Sequence, residues 1–393
     1  MMIYLDNNAT TRVDPAAVAG MLPFFGEQFA NPSGSYAAAR AAGRAVGEAR
    51  ELVGGLLGCE AGAVVFTSGG TESDNAAIGS ALRCYPERRH LVTCATEHPA
   101  VLVPMEELRD RDGYELTILG VGADGRIDLD EFRRAIRPGE TALVSFMWAN
   151  NETGVVQPVP EAAAIADSLG VLFHTDAVQA AGKVPLRLAA TKVHYASFSG
   201  HKFHAPKGVG ALYLRPDVRF RPLLVGGGQE GGRRSGTENV AGIVALGIAA
   251  QAAASQDTGA VARLRDRLEA KLRATLEGVH PNGSVEHRVP NTSSLRFEGA
   301  DAEGLLILLD QSGVCCSAGS ACHSGALRPS AVLTAMGLTP AQARSTLRLS
   351  LSRFTTEAEV DRAAAAIAGA VAKLRSQRQP GGPVLAGPNS PLT

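Results

Sequence analysis

The feature that most limits what this chain can fold into is an alternation. Short apolar, β-branched runs are followed again and again by stretches with helical patterning. "AVVFTS" reads as a strand ending in a turn, and "TESDNAAIGSALRCY" after it as a helix. "HLVTCA" is a further strand, followed by "TEHPAVLVPMEELRDRD" as a loop running into a helix. "ALVSFMW", "VLFHTD" and "GVGALYL" are strands too, with "EAAAIADSL" helical between the first two. Strand and helix in alternation specify an α/β domain with a mainly parallel sheet. In such sheets ligands bind in the crevice at the carboxyl ends of the strands, so the chemistry is expected just after them.

At 393 residues the chain exceeds one small core, and a large domain with a smaller one is the expectation. A continuous helical pattern from about Asn239 to Leu276 is expected to carry the chain between them. Beyond it, "NTSSLRFEG" and "STLRLSLS" read as strands and "AEGLLILLDQSG" and "EVDRAAAAIAGAVAKLRSQ" as helices, which describes an α+β unit. The division expected is residues 15–258 for the large domain, and 1–14 with 259–376 for the small one. Residues 377–393, rich in proline and glycine, are expected to be a disordered tail.

Charge argues about partners. Lys and Arg number 38 against 39 Asp and Glu, so no bulk charge is available to hold nucleic acid or a membrane surface. No apolar run of the length a membrane span needs is present. The start "MMIYLDNNATT" has no basic stretch followed by an apolar core, so no secretory signal is expected. Six cysteines without a CxxC pair offer neither a disulfide framework nor a zinc site. A reducing, cytoplasmic setting is the expectation. His201 and His204 lack a third ligand nearby, so no metal is expected.

Three groups then fall at strand ends. "FTSGGTESDN" sets Gly70 and Thr71 between a strand and a helix, where free N–H groups favour a phosphate, although a plain tight turn capped by Thr71 explains the run as well. "VLFHTDAVQ" ends a buried-looking strand on Asp176, a carboxylate that needs a cation or a capping role. "YASFSGHKFHAPKGVGALYL" places Lys202 in a polar turn beside Ser199 and His201. Alone it reads as a surface lysine; near apolar walls it suits Schiff-base chemistry. A phosphate cradle, an acid and a lysine are what pyridoxal phosphate needs. His98, in "ATEHPAV", can stack on the ring, move protons, or merely cap a helix. Cys322, in "GSACHSG", sits among residues too small to cover it, which marks it as exposed rather than packed.

The motifs "FTSGGTESDN", "TEHPAV", "NNETG", "HTDAVQ", "SGHKFHAPKGVG", "RRSGTENV" and "GSACHSG", in this order, resemble those of the cysteine desulfurases, class-V pyridoxal-phosphate enzymes, particularly the nitrogen-fixation type. The resemblance runs from "YLDNNATT" to "LSLSRFTTEAEVD". It implies a fold-type-I enzyme with a seven-stranded sheet, working as a homodimer with shared active sites. Lys202 would hold the cofactor, Asp176 its pyridine nitrogen, and His98 would stack on it and act as acid and base. Asn151 and Gln179 would bond the ring oxygen and its surroundings; Gly70, Thr71, Ser199 and His201 the phosphate. Thr237 would reach the cofactor phosphate of the other subunit. Asn31, Asn151 and Arg348 would bind substrate, with Asn31 and Arg348 on its carboxylate. The activity implied is conversion of L-cysteine to L-alanine, with Cys322 attacking the sulfur to become a persulfide and passing it to an acceptor such as an iron–sulfur scaffold protein. Cys315 and Cys316 depart from the family's small residues there, and space-filling is the favoured reading. His323 is given no role. A selenocysteine lyase or an aminotransferase of the same fold is the alternative, and Cys322 is the feature that separates them.

Overall fold

The computed structural model describes residues 2–318 and 329–378. The chain opens with β1 (Ile3–Tyr4) and soon enters a seven-stranded sheet made of β2 (Val64–Thr67), β3 (His90–Cys94), β4 (Glu115–Leu119), β5 (Thr141–Ser145), β6 (Leu172–Asp176), β7 (Tyr195–Ser199) and β8 (Gly210–Leu214). Their order across the sheet is β2-β8-β7-β6-β5-β3-β4. All neighbours run parallel except β8, which is antiparallel to both β2 and β7. Every residue of β3, β5, β6, β7 and β8 is buried, as helices on both faces of a mainly parallel sheet require. β4 is the edge strand that the sequence did not announce. Most of it is exposed or half-buried, so "ELTIL" lacks a full apolar signature.

A second sheet, β9 (Val279–Pro281), β10 (Thr292–Phe297), β12 (Ser317–Ala318) and β13 (Thr346–Ser350), is antiparallel in the order β12-β13-β10-β9; β11 (Val314–Cys315) pairs with β1 instead. It has its own apolar core, including Leu268, Leu295, Phe297, Leu305, Leu347, Leu349 and Ile367, to which Ile3 and Leu5 return from the chain start.

The helical pattern expected to run unbroken from Asn239 to Leu276 is two helices, Val240–Ala254 and Thr258–Thr275, bent by 73°. The break has a local cause. Asp257 takes an extended backbone and its side chain accepts from the Ala260 N–H, so a new helix starts there. The last helix, Glu357–Arg378, extends past the expected boundary at 377. The rest of the expected tail, 379–393, and the segment 319–328 with Cys322 and His323 lie outside the described residues. Among the described residues no single helix is long and apolar enough to cross a membrane.

Candidate active site

The polar groups picked out from sequence converge at the carboxyl edge of the parallel strands. β2 ends at Thr67 and turns through Ser68 and Gly69 into the helix Gly70–Cys84. The turn is closed by its own side chains: Thr67 Oγ1 meets Ser73 Oγ at 2.8 Å, and Glu72 Oε2 accepts from the Ser68 N–H at 2.8 Å. A Cβ on Gly70 would lie 2.8 Å from Val178 Cγ2, so only glycine lets this helix begin so close to the chain leaving β6. The N–H groups of that first turn have no intrahelical acceptors, which suits an anion.

β6 ends on Asp176, buried, with Oδ1 accepting from the Val178 N–H at 2.9 Å. Burial, reinforced by the nearby Asp74, pushes its carboxyl up to about 7, against the opposing pull of the Val178 bond and of His98 and His174. β7 ends on Ser199, and one tight turn, Gly200–Lys202, follows. Lys202 Nζ donates to the carbonyls of Asn8 and Ala9, both at 2.8 Å. Burial, then the Arg348 charge, lowers its pKa to about 8, with Asp176 and Asp6 pulling the other way. His201 Nδ1 meets Thr10 Oγ1 at 3.0 Å, whereas His204 Nδ1 bonds the carbonyl of Arg12 at 2.8 Å, so the two histidines serve different partners.

After β3 comes His98, which caps the helix Pro99–Asp112: its Nδ1 accepts from the Ala100 N–H at 3.1 Å. The capping role weighed from sequence is therefore real, and the ring lines the cavity as well. With Nδ1 accepting, the neutral ring carries its proton on Nε2. Arg348, on β13, reaches across from the second sheet. Its Nη2 donates to Asp6 Oδ1 at 2.7 Å and its Nη1 to the Asn151 carbonyl at 3.1 Å, while its buried Nε has no partner.

These groups surround one cavity of about 400 Å³, within the range of small-molecule sites. Gly70, Thr71, His98, Asn151, Asp176, Gln179, Ser199, His201, Lys202 and Arg348 all line it. Three candidates do not. Asn31 is exposed and spends its side chain on the Ser33 N–H at 3.0 Å, away from the cavity formed by one chain. Thr237 is exposed and lines a separate pocket of about 160 Å³ with Arg234 and Asn239. Its segment is tied to the phosphate-side helix by Arg234, whose Nε donates to Glu72 Oε1 at 2.9 Å. Cys322 falls outside the described residues.

Sequence reasoning passed over Asn8, Ala9 and Asp74, which also line the cavity, and Asp6 behind Arg348. Asp74 carried a usable signal: it sits one turn after Gly70 on the helix face that also buries Ser73, Ala77 and Ala81. A carboxylate on such a face wants a reason. Asn8 and Ala9 act mainly through backbone carbonyls, which side-chain identity does not advertise.

The comparison with known proteins agrees with this geometry. The family model for class-V aminotransferases matches residues 3–363. A cysteine desulfurase of Gluconacetobacter diazotrophicus is 50% identical over 377 residues, covering 95% of this chain and 94% of that protein. The chain belongs to the cysteine desulfurase family. Among solved structures, a NifS-like protein superposes with a TM-score of 0.88 at 37% identity, covering 95% of this chain and all (100%) of that one. SspA, determined in complex with cysteine, superposes with a TM-score of 0.80 at 34% identity, covering 90% of this chain and 99% of that one.

Members of the class-V family use pyridoxal phosphate, and the cysteine desulfurase site here fits it. A helix start kept open by Gly70 suits the phosphate, Asp176 is a buried carboxyl able to hold a proton for a ring nitrogen, and the Lys202 amine is readily uncharged.

Proposed function

We propose that this protein is a pyridoxal-phosphate-dependent cysteine desulfurase, which takes the sulfur of L-cysteine, releases L-alanine and keeps the sulfur as a persulfide on Cys322. The single observation that carries the reading is one cavity holding the Lys202 amine, the Asp176 carboxyl, the Gly70–Thr71 helix start and the Arg348 guanidinium. A lysine, an acid and a phosphate cradle account for the cofactor. An arginine on the opposite wall accounts for an amino-acid substrate.

When bound, pyridoxal phosphate supplies the electron sink that makes the α-proton of cysteine acidic and loosens its carbon–sulfur bond. The rest is done by the chain. Arg348 binds the substrate carboxylate, held in place by Asp6 and the Asn151 carbonyl. Lys202 is the base: with its pKa lowered to about 8, roughly a tenth of it is free amine at pH 7 and about half at pH 8, ready to receive a proton from the α-carbon. His98 presents an N–H at Nε2 and would lie over the cofactor ring. Asp176 would pair with the pyridine nitrogen, and Gln179 and Asn151 would serve the ring oxygen and its surroundings. Gly70, Thr71, Ser199 and His201 would hold the phosphate. Cys322 as thiolate attacks the substrate sulfur: a sulfur–sulfur bond forms, the carbon–sulfur bond breaks, the β-carbon takes up a proton, and alanine leaves once Lys202 returns a proton to the α-carbon.

The same reading makes the protein a cytoplasmic homodimer in which Thr237 completes the partner's phosphate site, and gives the persulfide to an acceptor protein of the iron–sulfur scaffold kind. It also makes the two apolar cores two domains, residues 15–258 the larger and residues 1–14 with 259–376 the smaller. The test is Lys202→Ala. Purified parent protein is expected to carry the visible absorption band of lysine-bound cofactor and to release alanine from cysteine. The variant is expected to do neither, and a variant that still released alanine would remove Lys202 from the reaction.

A further inference from the structure

Beside the site lies a second amine that the proposed reaction does not use. Lys183, half-buried in the segment after β6, points its Nζ at Gln179 Oε1 (2.6 Å) and Asn8 Oδ1 (3.1 Å). Both acceptors are neutral amides, and among the described residues no carboxylate lies within ion-pair distance of it. Burial, and then the charges of Lys202 and Arg348, push its pKa well below the usual lysine value. A lysine placed beside another cation without an acid partner needs an explanation other than charge pairing.

The hydrogen bonds around it form a closed ring. Gln179, whose oxygen Lys183 holds, donates its Nε2 to the Asn8 carbonyl at 2.9 Å. That carbonyl is one of the two acceptors of Lys202 Nζ. The Asn8 side chain returns to Lys183 through Oδ1, and its Nδ2 is fixed by Thr292 Oγ1 (2.8 Å) and the Asn151 carbonyl (3.0 Å). Lys183 thus joins the side chain of Asn8 to the side chain that bonds its carbonyl. The two lysines meet again at a second cavity of about 30 Å³, which Asn7, Thr11, His204 and Arg353 also line. That is room for about one water, so charged groups facing Lys183 there are Lys202, Arg353 and, when protonated, His204.

We propose that Lys183 is a positioning residue: by holding Asn8 and Gln179 together it fixes the backbone carbonyls that seat the Lys202 amine against the cofactor site. The inference deepens the functional reading and rests on it. Without Lys183, Gln179 Oε1 loses its donor, so the amide that bonds the Asn8 carbonyl is no longer fixed, and the Asn8 side chain keeps only Asn291, Thr292 and Asn151, which loosens the carbonyl pair. Misplacing a reacting group by even about 1 Å is costly, on the order of 100-fold.

The experiment compares apo protein of the parent, Lys183→Met and Asn8→Ala. Melting temperature and circular dichroism report folding. Pyridoxal phosphate is then added, and the rate at which the visible band of lysine-bound cofactor appears is followed, together with its pH titration. Lys183→Met is expected to stay folded, to slow attachment roughly 10-fold or more, and to move the titration midpoint by at least about half a pH unit. Asn8→Ala cuts the other end of the same ring and is expected to do likewise. The double variant is expected to be no worse than the poorer single one, because the two act as a unit. If Lys183→Met fails to fold, Asn8→Ala decides the matter alone. Attachment within about twofold of the parent with an unmoved midpoint, or penalties that multiply in the double variant, overturns the proposal. Failure of the functional reading itself shows separately, as no band in the parent, and takes this inference with it.

Discussion

Lys202 is held by two backbone carbonyls and faced by Arg348, with carboxylates at Asp176 and Asp6 that only partly offset that charge. The consequence is a pH dependence with a definite sign. Only the free amine attacks an aldehyde, so cofactor attachment to apo protein is expected to speed up as pH rises towards about 8 and to level off above it, well short of an ordinary lysine. Arg348 lowers that pKa, so Arg348→Met is expected to move the midpoint upward and to raise KM for cysteine; absorbance kinetics and steady-state rates check the two parts. Asp176 makes a different prediction. Asp176→Asn keeps the shape but loses the acid, and cysteine turnover is expected to fall roughly 10²–10³-fold, the scale seen when one preorganised electrostatic partner is removed, while the cofactor band persists. A variant with parent-like turnover would separate Asp176 from the chemistry.

The strand ends do the positioning, and glycines permit the closest approaches. At Gly210, on β8, a Cβ would sit 2.4 Å from the Phe198 carbonyl oxygen and 2.7 Å from Gly69 Cα. Gly210→Ala must push back the turn that opens the phosphate-side helix. It is expected to cost about 1–3 kcal/mol in urea unfolding and to weaken cofactor binding beyond that, which titration of apo protein measures. Most of this was legible. "AVVFTS", "HLVTCA", "VLFHTD" and "GVGALYL" announced strands because strands buried on both faces of a sheet are largely apolar, and the polar residues after β2, β3 and β6 announced the site. What stayed hidden has physical reasons. β4 is an edge strand in which Glu115 and Thr117 interrupt the apolar run and most residues are exposed or half-buried. The break between Ala254 and Thr258 rests on one aspartate cap inside an apolar helical pattern. The carbonyls of Asn8 and Ala9 are backbone groups, brought to Lys202 from nearly two hundred residues away in sequence.

At the scale of the whole molecule, the site lies between two apolar cores and depends on their alignment, since Arg348 comes from one sheet and Lys202 from the other. One buried ion pair helps hold that joint. Glu269 accepts from Arg288 Nη1 at 2.6 Å and from Ser293 Oγ at 2.7 Å, and Arg288 bridges to Val155 in the loop after β5. Burial pushes the Glu269 carboxyl up, but the Arg288 and Ser293 bonds outweigh it and hold it below the usual glutamate value. Its contribution is therefore full above the ordinary glutamate range and is lost as pH falls through the lowered value. Glu269→Gln removes the nearer of the two carboxylates facing Arg288, leaving Asp266 at 3.5 Å, and is expected to cost about 1.5–3 kcal/mol by urea unfolding, the scale of hydrogen bonds to a charged group. The shared-site reading makes a further prediction. Lys202→Ala and Thr237→Ala subunits, each weak alone, are expected to regain about half the parent rate when mixed as heterodimers, since one of two sites is then intact; no recovery would confine Thr237 to its own subunit. The central claim is tested most directly by comparing the parent with Cys322→Ala, with L-cysteine and a reductant present, for the visible band and for alanine and sulfide release. The account predicts that the variant keeps the band and releases neither product. A variant that released both as fast as the parent would contradict it.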